Sequence, residues 1–268
     1  MPEGDVVRRT AARLAAALAG SPLIRAELRW GDLGDVRLAG RMVTDVAAYG
    51  KHILIRLAPQ GRSAGLTVHS HLKMDGRWFI EAADPRRRFT DHRIRAILGT
   101  AEWTAIGHLL GALDVLPTTD ESRLLGRLGP DIMADDFEAA GLPIALDNLA
   151  RTPLRPIGAA LLDQTVVAGI GTIFMSESLF RRRLSPWQAS GAVDAAAVLR
   201  TARELLLNSA RADPAAGGPG YQRYVHGRSG QRCHRCGATI QVAPVGDPPF
   251  GRPAFHCPRC QPSPVGNS

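Results

Sequence analysis

The sequence predicts a multidomain α+β protein: an N-terminal helix running into a β-sandwich, a helical region after it, and a cysteine-bearing β-hairpin at the C-terminus. Three observations predict this. Val7, Ala11, Leu14 and Leu18 recur at helical spacing, whereas from about 23 to 116 the apolar residues fall in short alternating runs between turn residues. The only four cysteines stand as two C-x-x-C pairs near the far end. A length of 268 residues also exceeds what one compact core usually needs.

Each element follows from its own residues. In the first helix Arg8, Arg9 and Arg13 lie off the apolar face, and Gly20 can end it. The runs "LIRAELRW", "KHILIRLA", "LTVHSHL", "RWFIEA", "IRAILGT" and "EWTAIGHLL" read as strands of a β-sandwich. After "LLGRLGPDIMADD", which reads as a connection, "PIGAALLDQTVVAGIGTIFMSESLFRRRL" reads as two helices joined at Gly169–Gly171. "DAAAVLRTARELLLNSARA" gives a third helix, and "DPAAGGPG" a flexible loop.

Composition limits the function classes. An apolar fraction of 45% with 22% charged residues fits a folded chain rather than a disordered one. No apolar run approaches membrane-spanning length. The alanine-rich stretch at 6–19 follows Asp5 and contains Arg13, so it does not read as a secretory signal, and a cytoplasmic protein is expected, nucleoid-associated if bacterial. The net charge of +8 is uneven: residues 1–125 carry 18 basic and 14 acidic side chains, 126–215 carry 9 and 10, and 216–268 carry 6 and 1. Basic lobes at both ends suit a polyanion, of which nucleic acid is the commonest in cytosol; a generally basic surface is the plainer reading.

The cysteine pairs are "CHRC", with Cys233 and Cys236, and "CPRC", with Cys257 and Cys260. Two such knuckles can present four thiolates to one tetrahedral zinc ion, which then has no open position and is structural. Two disulfides would belong to an oxidising compartment. His234 and His256 flank the pairs but are not needed as ligands. Arg252 is then placed on the turn of the hairpin.

Among 33 basic residues only Lys51 and Lys73 are lysines. A compact ammonium can shed its proton where a guanidinium cannot. Gly169 and Gly171 at a helix mouth read either as ordinary helix packing or as amides aimed at a phosphate.

Six separated stretches, "MPEG", "YGKHILIR", "SHLKMDG", "GRLGPD", "LLDQTVVAGIGTIF" and "GRPAFHCPRCQ", together resemble the formamidopyrimidine-DNA glycosylase and endonuclease VIII family of base-excision repair enzymes, most closely its endonuclease VIII branch. The resemblance spans nearly the whole chain. It implies a β-sandwich lobe at 1–122, a connection and the start of a helical lobe at 123–150, a helix-two-turn-helix domain at 151–228, a zinc finger at 229–262 and a tail at 263–268. DNA is expected in the cleft between the lobes, as a damaged duplex, with single strands left open, and the chain as a monomer.

The resemblance further implies a glycosylase and AP lyase acting on oxidised bases, with pyrimidines preferred. Pro2, freed of Met1, would attack the deoxyribose C1′; its secondary amine condenses to an iminium, an electron sink for base loss and elimination. Glu3 would assist ring opening, although a charge at a helix N-terminus is its plain reading. Lys51 and Arg252 would hold the lesion phosphate and serve the β and δ eliminations. Lys73, Arg127, Gly169, Gly171 and Thr172 take DNA-contact positions, and Met74 is either a wedge filling the gap left by a flipped base or a core methionine. Thr172 stands where the family has asparagine, and is expected to cap its helix. Val6 replaces a carboxylate, and Lys73, Met74 and Asp75 do not match the usual gap-filling trio. These departures motivate an alternative, a noncatalytic sensor of damaged or single-stranded DNA; a zinc-ribbon transcription factor ranks behind it.

Overall fold

The computed structural model describes residues 2–212 and 222–263. The loop expected at 213–220, and all but the first residue of the tail expected at 263–268, lie outside the described residues. The chain divides into two compact units, one of Met1–Pro2 with Val6–Arg127, the other of Glu3–Asp5 with Leu128–Ser268.

Helix α1 (Gly4–Leu18) opens the first unit. Its stripe of Val7, Ala11, Leu14 and Leu18 is buried, as helical spacing requires, and packs into the sandwich core. Eight strands follow: β1 (Arg25–Leu28), β2 (Val43–Tyr49), β3 (His52–Leu57), β4 (Leu66–His71), β5 (Arg77–Ala82), β6 (Ile94–Gly99), β7 (Trp103–His108) and β8 (Ala112–Pro117). They form two four-stranded antiparallel sheets, ordered β1-β6-β7-β5 and β2-β3-β4-β8. Val43, Ile53, Ile55 and Val68 from one sheet and Trp78, Ala96 and Leu98 from the other fill the interior, so the expected sandwich is present. Strands β2 and β8 add to the six runs read from sequence.

After the short α2 (Ser122–Leu125), the second unit contains α3 (Leu142–Ala150), α4 (Ile157–Leu162), α5 (Thr172–Arg182) and α6 (Ala195–Arg211). Helix α3, entered through a π-turn at Phe137–Gly141, lies in a stretch read as a connection and the start of the helical lobe. The joint between α4 and α5 spans Asp163–Gly171, longer than the glycine joint expected at Gly169–Gly171. Asp194 caps α6 by accepting the Ala197 amide at 2.9 Å. Phe137, Ile157, Leu161, Phe174, Val198 and Leu206 make the helical core. Strands β9 (Gln241–Val245) and β10 (Arg252–His256) form a hairpin whose Val245 and Ala254 join that core. No helix among the described residues is long and apolar enough to cross a membrane.

Candidate active site

The first residues of the chain are bolted down. The buried carboxylate of Glu3 accepts the amide of Gly171 at 2.9 Å, of Ile173 at 2.7 Å and of Phe174 at 3.3 Å, so it sits on the orphan donors at the mouth of α5. Gly4 donates its amide to the Gly169 carbonyl at 3.0 Å, and Asp5, also buried, accepts the Ser209 hydroxyl at 2.6 Å. Only glycine fits at 171, because a Cβ there would overlap the Glu3 carboxylate, 2.5 Å from Oε1. Gly169 has φ +111°, a conformation that favours glycine. Pro2, the residue before this clamp, is half-buried.

Two sequence expectations change here. Gly171, not Thr172, occupies the cap position of α5, and Thr172 is the first helical residue, buried at 7% exposure. The cap comes instead from Glu3, far away in sequence. The Gly171 amide, expected to face a phosphate, is already paired with that carboxylate.

In the first unit, Lys51 is half-buried in the tight turn that leads into β3, after Gly50 at φ +56°. Lys73 lies in the β4–β5 turn with φ +49°, its side chain exposed. A Cβ on Gly111 would come 2.5 Å from the Lys73 Cγ, so glycine makes room for that stem. Met74 is 61% exposed, which excludes the core-methionine reading. Arg127 is exposed at the end of this unit.

In the second unit, Arg252 is exposed and opens β10 opposite Val245, correcting its placement on the hairpin turn. The hairpin and the Tyr224–His226 segment ahead of it are fixed to α5 by contacts that sequence reasoning missed. Glu177, 1% exposed, accepts amides from Tyr224 (3.0 and 2.9 Å), Val225 (2.9 Å) and His226 (2.8 Å), while the Ser176 hydroxyl accepts that of Phe255 at 3.2 Å. A glutamate in mid-helix ordinarily signals a solvated face; nothing local marks this one.

The sulfurs of Cys233, Cys236, Cys257 and Cys260 lie within 4.8 Å of one another, and those of Cys236 and Cys257 are 3.4 Å apart. A tetrahedral site with Zn–S bonds of about 2.3 Å has edges near 3.8 Å, so this four-thiol set fits such an ion. Neither flanking histidine joins the cluster: His234 faces Gln222, and the His256 ring packs edge-on against Trp187.

Matches to known proteins agree with this architecture. Residues 1–104 match the formamidopyrimidine-DNA glycosylase N-terminal domain, and 128–213 the H2TH domain of the same enzyme. "Probable endonuclease 8 2" of Streptomyces coelicolor is 44% identical over 99% of this chain and 95% of its own. The chain belongs to the formamidopyrimidine-DNA glycosylase family. Another member, the "DNA-(apurinic or apyrimidinic site) lyase Nei2" of Mycolicibacterium smegmatis, is 40% identical over 97% of this chain and 99% of its own. A crystal structure of the Lactococcus lactis family enzyme, non-covalently bound to DNA containing an AP site, matches the fold with a TM-score of 0.79 and 22% identity, covering 97% of this chain and all of that one.

Proposed function

We propose that this family member is a bifunctional DNA glycosylase and AP lyase that excises oxidised bases, pyrimidines in preference, and cleaves abasic sites through a Schiff base on Pro2. One observation carries the reading: Glu3 is clamped by three backbone amides, so the residue before it is held as a nucleophile must be. The Pro2 nitrogen attacks C1′ and the base departs. The iminium then accepts the electron pair of the C2′–H bond, and the 3′ phosphate leaves. Glu3, adjacent to the amine, assists ring opening. Lys51 and Arg252 grip the lesion phosphate, with Arg252 serving a second, δ, elimination. Lys73, Met74, Arg127 and Thr172 contact DNA, Met74 as the wedge, while Gly169 and Gly171 shape the seat of Glu3. One structural zinc on Cys233, Cys236, Cys257 and Cys260 folds the hairpin that carries Arg252. The relatives named endonuclease 8 support the pyrimidine preference, and a monomer on damaged duplex DNA is the working unit.

The test is borohydride trapping of the chain beginning at Pro2 on thymine-glycol, 8-oxoguanine and abasic duplexes. Strong adducts with thymine glycol and abasic DNA are expected. An adduct with 8-oxoguanine and none with thymine glycol would reverse the preference. Binding undiminished by Pro2→Gly, with no cleavage by the unmodified chain, would leave a sensor instead.

A further inference from the structure

In the β2-β3-β4-β8 sheet, beside Lys51, three histidines cluster, and two of them form with an aspartate a chain that has no part in the lyase chemistry above. Strand register sets it up: His52 stands opposite His71, and His69 opposite Asp114. The His52 Nδ1 lies 2.8 Å from the His69 Nε2, and the His69 Nδ1 lies 2.9 Å from the Asp114 Oδ2. His69 is 3% exposed, whereas the Asp114 side chain is 54% exposed. A buried ring thus links a half-buried ring to a carboxylate in water.

The partners assign the protons. A carboxylate only accepts, so the His69 Nδ1 carries hydrogen and its Nε2 offers a lone pair. His52 then donates from Nδ1 and keeps a lone pair on Nε2. The His71 Nδ1 accepts the Lys73 amide at 2.9 Å, so its proton is on Nε2 and it stands outside the chain, its ring edge-on to His52. Burial first, then the positive charge of the neighbouring histidines and of Lys51, with Lys73 bearing also on His71, keeps both rings neutral.

We propose that His52, His69 and Asp114 form a proton relay that carries the proton released by elimination away from Lys51 to solvent. The inference rests on the lyase reading. The C2′–H electron pair forms the C1′=C2′ bond, and the released proton reaches the His52 Nε2. The His52 Nδ1 proton moves to the His69 Nε2, the His69 Nδ1 proton moves to Asp114, and Asp114 passes it to water. Both rings end neutral in the opposite tautomer; a proton drawn from solvent through Asp114 and His69, with the His52 Nε2 proton given up to the departed phosphate, resets them before the next turnover. None of the three is assigned contact with the sugar, so they are relay residues and not catalytic ones.

The test compares iminium trapping with strand scission in single turnovers on an abasic duplex, for the unmodified chain, Asp114→Asn, Asp114→Glu and His69→Phe. Asp114→Asn keeps an acceptor for His69 but cannot take its proton. It is expected to slow scission by on the order of a hundredfold, the low end for a positioned acid–base group, with trapping yield unchanged. Asp114→Glu restores the rate. The double variant Asp114→Asn with His69→Phe is no slower than either single one, because both cut the same path. Nitrogen NMR of the unmodified chain is expected to show protonated Nδ1 on both His52 and His69. Scission unaffected by Asp114→Asn, trapping and scission lost in parallel, or Nε2-protonated rings would each overturn the relay. Absence of any trapped adduct with the unmodified chain would refute the lyase reading itself, and the relay with it.

Discussion

Replacing Glu3 by glutamine separates the structural contribution of this residue from its chemical one. The carboxylate presents two accepting oxygens to the amides of Gly171, Ile173 and Phe174. A glutamine presents one, and its NH2 group faces at least one of those N–H groups in a buried site. One donor left unpaired costs about 1–3 kcal/mol, and each of the two remaining bonds weakens by about 1 kcal/mol when the acceptor loses its charge. The sum is about 3–5 kcal/mol. At about 2–4 °C per kcal/mol for a chain of this size, Tm falls by roughly 6–20 °C. Calorimetry on Glu3→Gln, run beside the trapping assay, measures both consequences. Lost trapping with Tm unchanged would refute the reasoning, since the carboxylate would then act in chemistry alone.

Gly171→Ala pushes a methyl group into the same carboxylate and should lower trapping by on the order of a hundredfold, since displacement by about 1 Å costs that much, while the bound metal stays at one ion per chain by elemental analysis. Cys257→Ser should abolish zinc uptake and melt the β9–β10 hairpin, because a structural zinc supplies about 10 kcal/mol or more of folding free energy; full activity in a metal-free chain would contradict it. Met74→Ala should leave the unfolding free energy within about 0.5 kcal/mol of the parent, as for any exposed side chain, yet weaken binding to a lesion duplex in a titration. Desolvation first, then neighbouring positive charge, holds His52 and His71 down at about 4 against an ordinary 6.5. The unfolded chain therefore binds protons that the fold refuses, so stability is level above about pH 6.5 and drops as pH falls towards 4; a melting series on His71→Gln should show a shallower drop.

Helix α1 was legible because it buries one face, which leaves a helical period; the six strand runs were legible as short apolar stretches between turn residues, even where both faces are buried, as in β4 and β6. Strand β2 was not: "VTDVAAY" does not alternate, and its register shifts between Val43 and Asp45. Strand β8 ends at Pro117 and buries only Leu113 deeply. In α3 the pair Leu142–Pro143 looks like a break, yet a proline in the first helical turn loses no hydrogen bond. The cysteines and the two lysines could be singled out by type and spacing alone. The cap on α5 could not, since its acceptor comes from the other end of the chain, and Glu177 could not, since its partners are main-chain amides that any sequence supplies. The histidine–aspartate chain is visible only once the strands are in register.

Helix α5 meets Glu3 with the amides of its first turn and the Tyr224–His226 segment with Glu177 five residues later. Engineers who want to alter such an enzyme can therefore treat this one short rod as its chassis: a kink or an insertion between Thr172 and Glu177 would throw the seat of Glu3 and the anchorage of the Tyr224–His226 segment out of alignment in a single stroke.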